Sequence, residues 1–299
     1  MSLAIVSASY APDFAGFARL HESVLQNTTD EVPHIVVVPD AHASLFRSIR
    51  SPRLDVRPYA TMLPARFVQT TWLGGLRQLP RGFRIAAVNA AQPWPPIRGW
   101  IMQQVIKLGL VASLRCEVAL LIDSDVLVVR PLHESSFLTA DGTVRLYRRP
   151  FGVTPDMTRH VSQQARALRL LGLDRVESDS PDYISAFASW DPELVRDCLA
   201  RIEATTGRPW WDAVAGSLDF SEFLTYGAYA MTIADPTNRQ FVAERSLCHS
   251  HWGGAALTRD AAQRFVEALQ PDDVAIHVQS NTSTDESVLR FIAEAAARI

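Results

Sequence analysis

Two aspartates separated by one serine stand out against an apolar background. Asp123, Ser124 and Asp125 interrupt a mostly aliphatic run over 118–131. Such a run predicts a strand buried on both faces of a parallel sheet. Carboxylates at its end are costly to desolvate unless a cation or hydrogen bonds compensate them. The pattern favours a Mg²⁺ or Mn²⁺ site completed by water and phosphate oxygens. The competing interpretation is a turn that uses aspartate as a turn former.

Three histidines late in the chain are candidates for a further metal ligand. His249 and His251 share one face of a predicted extended segment over 246–252, and His277 lies near the end of another predicted strand. Imidazole is a common ligand of divalent transition metals. We take His249 as the third protein ligand, with His251 and His277 as alternatives. An ordinary buried or surface histidine is the competing interpretation for each.

Glu222 is the candidate general base. It lies among aromatic and apolar residues on a predicted helix that carries Tyr226 and Tyr229 on the same face. Burial raises the pKa of a carboxyl group, which suits a base. We expect the two tyrosines to flank a bound acceptor. The competing interpretation is a glutamate in the first turn of a helix capped by Ser221.

Lys107 is the only lysine among 29 basic residues. A predicted helix over 100–114 groups Gln103, Gln104 and Lys107 on one face, and this helix leads directly into the strand that carries the aspartates. We therefore expect its polar face to flank the same pocket. Genome composition is the competing interpretation of this usage. If it has replaced lysine by arginine everywhere else, the retained lysine indicates a position that a guanidinium does not serve. A solvated polar face is the alternative for the two glutamines.

The remaining pattern predicts alternating strands and helices. Further predicted strands cover 3–9, 34–38, 54–58, 143–148, 183–190, 246–252 and 274–278, and predicted helices cover 12–27, 43–49, 155–171, 191–206, 219–229, 258–269 and 285–297. The β-α-β-α-β opening is typical of an open parallel sheet with right-handed crossovers. Residues 63–100, rich in glycine and proline, predict a long irregular loop. We expect one α/β domain with a mostly parallel central sheet flanked by helices.

Composition excludes several classes of protein. The chain has 299 residues and a net charge of −3, with no basic run suited to nucleic acid. It has no apolar segment of the roughly 18 residues that a membrane span needs, and its start predicts a first strand rather than a signal peptide. Three scattered cysteines suit a reducing compartment, and we expect each to be a small core residue. We expect a cytoplasmic protein.

Several segments of the sequence resemble a known group of proteins. LLIDSDVLVVRP and the preceding GWIMQQVIKLG are similar to metal-dependent glycosyltransferases of the GT-A fold. A narrower resemblance, supported also by FSEFLTYG and CHSHW, is to a bacterial family of unknown function that similarity assigns to glycosyltransferases. It spans most of the chain. It implies one GT-A (Rossmann-like) domain over 1–299, with a nucleotide-sugar-binding half at 1–131 and an acceptor-binding half at 132–299.

The resemblance also implies roles for residues. Asp123 and Asp125 would hold Mn²⁺ or Mg²⁺ bridging the diphosphate of a UDP-, GDP- or dTDP-sugar, and the end of the first strand would lie near base and ribose. The HxxGxxKPW motif of retaining transferases is absent from the sequence. The predicted reaction transfers a sugar to a hydroxyl of a small-molecule or glycan acceptor, with inversion. The predicted donor site comprises Ser7, Ala8, Tyr10, Gln104, Lys107 and Ser124.

Three other classes compete with this interpretation. Nucleotidyltransferases on the same sheet begin with a glycine-rich loop and a basic residue, which VSASYAPDFAG lacks. Haloacid-dehalogenase-type phosphatases place their Asp-x-Asp strand first in the chain. A non-catalytic module that binds sugar nucleotides or carbohydrates would need the aspartates but no base at Glu222.

Overall fold

A computed structural model describes residues 2–70, 85–234 and 239–298. The strands are β1 (Leu3–Ala8), β2 (His34–Val38), β3 (Leu54–Pro58), β4 (Phe67–Gln69), β5 (Ile85–Asn89), β6 (Gln92–Arg98), β7 (Val118–Ile122), β8 (Val126–Val128), β9 (Val144–Tyr147), β10 (Phe187–Trp190), β11 (Gln240–Ala243), β12 (Cys248–His251) and β13 (Ala275–Val278). The helices with bounds in these ranges are α1 (Phe14–Asn27), α2 (Ala43–Phe46), α3 (Gly99–Ser113), α4 (Thr158–Leu171), α5 (Pro192–Thr206), α6 (Trp210–Ala215), α7 (Glu222–Thr232), α8 (Arg259–Glu267) and α9 (Glu286–Ala296).

Five strands form the central sheet in the order β10-β7-β1-β2-β3. Strands β7, β1, β2 and β3 run parallel, and β10 pairs with β7 in the antiparallel direction. Every residue of β1, β2 and β7 is buried, as expected for aliphatic strands covered on both faces. The prediction of an α/β fold with a mostly parallel central sheet is confirmed.

Helices cover both faces of this sheet. Ala4 and Val6 of β1 face a core shared with helices α3 to α7. Leu3 and Ile5 face a second core shared with α1 and α2, because successive side chains of a strand point to opposite faces. Burying one such aliphatic side chain stabilises the fold by roughly 1.5–3 kcal/mol. No helix in the described ranges has both the length and the apolar character needed to cross a membrane.

The apolar run that begins at Val118 divides between two sheets. Strand β7 ends at Ile122, and β8 pairs antiparallel with β13 in a sheet ordered β12-β13-β8. The turn between them is closed by a hydrogen bond from the Val126 amide to the Asp123 carbonyl (3.1 Å). Helices α8 and α9 pack on β13 from one side. The two aspartates therefore lie where an interior strand of the central sheet meets the smaller sheet.

Residues 63–100 are more regular than the predicted loop. Strands β4, β5 and β6 form an antiparallel sheet. The prolines of the sequence QPWPP lie in β6, an edge strand, where a missing amide hydrogen is tolerated. The loop prediction is therefore wrong for the described part. Gly74-Gly75 and Pro80-Arg81-Gly82 lie outside the described residues.

The strand predicted over 183–190 covers only its last four residues. Ser185 Oγ donates to the Phe187 carbonyl (2.9 Å) and accepts from the Phe187 amide (3.1 Å). Side chains of this kind compete with ladder hydrogen bonds. The segment before Phe187 is consequently free to follow the edge of the candidate site.

Candidate active site

A cavity of about 660 Å³ opens at the end of β7. Its walls come from α1, the first turns of α3 and α7, the Asp123–Asp125 turn, β13 and α9. Both predicted halves of the chain therefore contribute. The polar and charged side chains in its lining are Asp13, Arg19, Gln103, Gln104, Lys107, Asp123, Ser124, Asp125, Ser185, Ser221, Glu222, Gln279, Ser280, Glu286 and Arg290.

Lys107 joins the first aspartate to the candidate base. Its Nζ donates to Asp123 Oδ1 (2.8 Å) and lies 3.4 Å from Glu222 Oε1. The ammonium lies over the Phe223 ring, with Lys107 Nζ 5.1 Å from the ring centre. The Glu222 side chain is 4% exposed, whereas that of Asp123 is 36% exposed. The three groups carry a net charge of −1 when all are ionised, and only Asp123 has substantial access to water.

The pKa shifts in this triad have opposing causes. Burial lowers the pKa of Lys107, but the charges and hydrogen bonds of Asp123 and Glu222 outweigh burial, and the net shift is upward. Burial raises the pKa of Glu222, and the Lys107 charge opposes that rise without cancelling it. Lys107 is therefore a cation at neutral pH, and Glu222 has a stronger affinity for a proton than an exposed glutamate. Both properties suit acid–base chemistry.

The position of Glu222 is set by two polar neighbours. Ser221 caps α7 by accepting a hydrogen bond from the Leu224 amide (3.3 Å). The Glu222 amide donates to Gln104 Oε1 (3.1 Å), and Gln104 is itself buried. Glu222 is therefore both a first-turn residue of a helix capped by Ser221 and a residue of the cavity lining. Gln104 lies at the predicted place, but its amide oxygen binds protein backbone, which makes it a residue that positions α7.

Tyr226 and Tyr229 do not flank the cavity. Tyr226 is fully buried and stacks on Trp190 with ring centres 4.9 Å apart, and its hydroxyl accepts from the Asp191 amide (3.0 Å). Tyr229 belongs to the same core. The expectation that these rings contact an acceptor was wrong. Only the first turn of α7 reaches the cavity, and the later turns pack beneath the sheet.

Asp125 is bound from the smaller sheet and the loop after it. Its Oδ2 accepts from the Ser280 amide (2.9 Å), and its Oδ1 lies 3.4 Å from His277 Nε2. Burial raises the pKa of Asp125, but the interactions with His277 and Ser280 lower it by a larger amount. The pKa of Asp125 therefore lies below its usual value. His277 is 1% exposed, and its Nδ1 has no hydrogen-bond partner among the described residues. Asp125 is therefore an ionised ligand candidate beside a buried imidazole.

The register of the smaller sheet decides which histidine can reach the aspartates. Ser250 of β12 lies opposite His277 of β13, and His249 lies opposite Ile276. Because side chains alternate along a strand, His249 and His251 point to the other face, where the His249 ring lies 4.3 Å from that of Phe265. The structure does not bring His249, the first choice from sequence, to the aspartates. It places His277 beside Asp125.

The candidate metal ligands provide only part of the coordination shell of a divalent cation. Within the described ranges, no three His, Cys, Asp or Glu side chains lie close enough together to hold a metal ion. Asp125 and His277 form a pair, and the Asp123 carboxylate is bound by Lys107. Mg²⁺ and Mn²⁺ commonly bind through one or two carboxylates and complete their shell with water and substrate phosphates. These residues fit an ion that is completed by a ligand and do not form an all-protein cage.

Residues at the end of β1 divide into support and lining. Ala8 lines the cavity. Ser7 is buried, donates from Oγ to the Ile122 carbonyl (2.7 Å) and contacts His34 Nε2 (3.0 Å), so it joins β1 to β7. Tyr10 is not part of the cavity lining as described. Ser124 lines the cavity and donates from Oγ to Ser9 Oγ (2.9 Å).

Gly16 supports the site, but the sequence pattern did not identify it as a site residue. A Cβ added there would lie 2.8 Å from the Ser124 carbonyl oxygen, so α1 touches the aspartate turn at a point where only hydrogen fits. A glycine inside a helix costs about 1 kcal/mol relative to alanine, and such a residue often marks close packing. The unfavourable helix propensity of Gly16 was therefore the sequence signal that could have indicated close packing at this position. The cavity residues Trp100, Trp252, Ser185 and Ser280 gave no comparable sequence signal.

Comparison with solved structures identifies the fold. The crystal structure of mouse xyloside xylosyltransferase 1 in its apo form is similar to this chain, with a TM-score of 0.50 and 13% sequence identity, over 94% of this chain and 99% of that chain. At this identity the likeness concerns the fold alone, which is a GT-A-like glycosyltransferase fold. No curated protein matches the chain. The sequence model of the "Family of unknown function (DUF6492)" matches residues 1–286, and the chain belongs to that family.

Proposed function

We propose that the protein is a metal-dependent glycosyltransferase that moves a sugar from a nucleotide-sugar donor to an acceptor hydroxyl with inversion. One observation carries the proposal. Asp123, Asp125 and Glu222, from distant parts of the sequence, line one cavity at the end of an interior strand of a GT-A-like fold. The nucleotide of the donor would be bound mainly by the first half of the chain and the acceptor mainly by the second.

The donor side of the cavity combines anionic and cationic groups. Asp125 and His277 would hold Mn²⁺ or Mg²⁺ together with water and phosphate oxygens of the donor, and the ion when bound would stabilise negative charge on the diphosphate. Asp123 lines the same cavity. Lys107, a fixed cation 2.8 Å from Asp123 Oδ1, adds positive charge on the same side. Its position supports a role in balancing the charge that develops on the departing nucleoside diphosphate.

The acceptor side contains the candidate base. Glu222 would accept the proton of the acceptor hydroxyl as the oxygen attacks the anomeric carbon from the face opposite the diphosphate. The oxygen–carbon bond forms while the bond from carbon to the diphosphate oxygen breaks, so a single displacement inverts the anomeric configuration. The raised pKa of Glu222 favours its acting as the proton acceptor. Its burial limits the access of water to the reacting groups.

Donor binding is tested by calorimetry with UDP-, GDP- and dTDP-sugars, with and without Mn²⁺. We expect Mn²⁺-dependent binding of one class of nucleotide sugar, and we expect Asp125→Ala to abolish it while the protein stays folded. Asp174→Ala is the matched control, because Asp174 is exposed and lies outside the cavity lining. Unchanged affinity of Asp125→Ala in the presence of Mn²⁺ would contradict the assignment of the metal site.

The base is tested separately from donor binding. Glu222→Gln keeps nearly the same shape and should lose about 10²- to 10⁴-fold in turnover while still binding the donor. NMR of the product reports its anomeric configuration. Retention of configuration, or normal turnover of Glu222→Gln, would remove the mechanism and leave the donor site in place. A wild-type protein that binds donors and transfers no sugar to any acceptor would instead favour a non-catalytic binding module.

A further inference from the structure

The cavity wall beside Glu222 carries an exposed aromatic ring. Trp100 lies in the first turn of α3, lines the cavity and is 38% exposed. Gln104, one turn later, donates from Nε2 to the Trp100 carbonyl (3.3 Å) and accepts from the Glu222 amide (3.1 Å). One side chain therefore links the turn that carries Trp100 to the start of α7, and the indole lies on the Glu222 side of the cavity.

Arg159 lies over this indole. Its guanidinium carbon is 4.1 Å from the centre of the Trp100 ring. Arg159 is exposed, and no carboxylate among the described residues forms an ion pair with it. A guanidinium held against an aromatic face keeps its N–H groups available, and their geometry matches the two oxygens of a carboxylate or phosphate. Trp100 and Arg159 together present an apolar face and an unsatisfied cation.

The negative charge of the cavity lining gives the Arg159 cation a role in binding an anionic acceptor. Five carboxylates and three cations line the cavity, so its lining carries a net charge of −2 when all are ionised. The charge of a bound divalent ion would be offset by the donor diphosphate. Two of the cations, Arg19 and Arg290, lie on α1 and α9, so an anionic acceptor beside Glu222 is repelled unless a cation near Trp100 binds its charge. Arg159 lies outside the lining but next to it, over Trp100. The part of the indole that Arg159 leaves uncovered offers an apolar surface on which the C–H face of a sugar ring packs.

We propose that Trp100 and Arg159 form an acceptor subsite for a pyranoside that carries an anionic group, a carboxylate or a phosphate. Trp100 packs against the sugar ring, and Arg159 binds the anion. The ring's free hydroxyl then points toward Glu222. This inference rests on the proposed function, because it takes the Glu222 side of the cavity as the acceptor side.

The test is direct binding of three probes, measured by saturation-transfer NMR and calorimetry on the full chain. The probes are methyl β-D-glucopyranoside, methyl β-D-glucopyranosiduronate and glucose 6-phosphate. We expect at least one anionic probe to bind about tenfold or more tightly than the neutral glycoside. The anionic probe that shows the larger gain identifies the source of the charge.

Variants assign the preference to residues. Arg159→Gln should bring the anionic probes to the affinity of the neutral glycoside, and Trp100→Leu should weaken all three. Arg47→Gln, which changes an exposed arginine remote from the cavity lining, should change nothing. Equal affinity for neutral and anionic probes in the wild-type protein, absence of binding, or a preference that survives Arg159→Gln would overturn the inference.

Titration of UDP, GDP and dTDP with Mn²⁺ separates the two proposals. Arg159→Gln and Trp100→Leu should bind nucleotide as the wild-type protein does. Mn²⁺-dependent nucleotide binding without an anionic preference refutes the acceptor subsite alone. Absence of nucleotide binding by the wild-type protein refutes the proposed function and, with it, the assignment of the acceptor side.

Discussion

Replacing Lys107 by methionine tests the triad with a side chain of similar shape and no charge. In the native protein the ammonium compensates Glu222, which is 4% exposed, and Asp123, which is 36% exposed. Asp123 can recover solvation from water when the cation is lost. Glu222 cannot, so it sets the cost. Removing one partner of a buried ion pair destabilises a protein by about 3–5 kcal/mol, and we expect Lys107→Met to fall in this range.

A double-mutant cycle identifies the group responsible for that loss. In the Lys107→Met background, Glu222→Gln removes the uncompensated buried charge and should recover on the order of 2 kcal/mol, within the range of coupling for contacting residues. Asp123→Asn is the matched control in the same background. It should recover less, because the Asp123 carboxylate already has access to water.

The loss of unfolding free energy in Lys107→Met should depend on pH, because the protonation of Glu222 changes with pH. Without Lys107, the pKa of Glu222 in the folded state rises further above the ordinary glutamate value of 4.5. A group with a raised folded pKa binds its proton more tightly in the native state, so its effect on stability is most favourable below the unfolded pKa and is lost as pH rises through the folded pKa. The deficit of Lys107→Met should therefore be smallest near pH 4.5 and grow toward pH 8.

Urea unfolding of the wild-type protein, the three single variants and the two double variants, extrapolated linearly to water, measures these differences. Measurements at several pH values between 4.5 and 8 follow the protonation of Glu222. If Lys107→Met unfolds within about 0.5 kcal/mol of the wild-type protein at every pH, a value typical of a surface substitution, the argument from the burial of Glu222 is refuted. A deficit that does not vary with pH would show that packing, and not charge, is the cause.

Two further predictions concern the supports of the cavity. Gly16→Ala places a methyl group 2.8 Å from the Ser124 carbonyl oxygen, so it should shift the aspartate turn and weaken Mn²⁺-dependent nucleotide binding in calorimetry; unchanged affinity would mean that α1 can move aside. Burial lowers the pKa of His21 to about 4 and that of its neighbour His34 (Nδ1 atoms 3.0 Å apart) below its usual range. Both histidines bind protons more readily when unfolded. The unfolding free energy should therefore fall by about 1.4 kcal/mol per pH unit for each histidine as pH drops from 6.5 toward 4, and His34→Gln should reduce that slope.

Much of the fold followed from local pattern. The aliphatic runs at β1, β2 and β7 predicted buried parallel strands because no polar face interrupts them. The two aspartates and Lys107 were visible for the same reason, since charged residues beside buried strands and helices need a compensating partner. Three cysteines were expected in the core, and Cys116, Cys198 and Cys248 are indeed buried free thiols. In each case the relevant information lay within a few residues of sequence.

The remaining assignments depended on contacts between distant segments. Sequence gave no reason to prefer His277 over His249, because the face that each histidine presents depends on the register of β12 against β13. Tyr226 shared a helical face with Glu222 in the pattern, yet only the first turn of α7 reaches the cavity. The contact between Gly16 and Ser124, and that between Arg159 and Trp100, join residues 108 and 59 positions apart in the numbering. Local propensity determines which segments form, but strand register and helix packing decide which side chains meet, and those are properties of the assembled core.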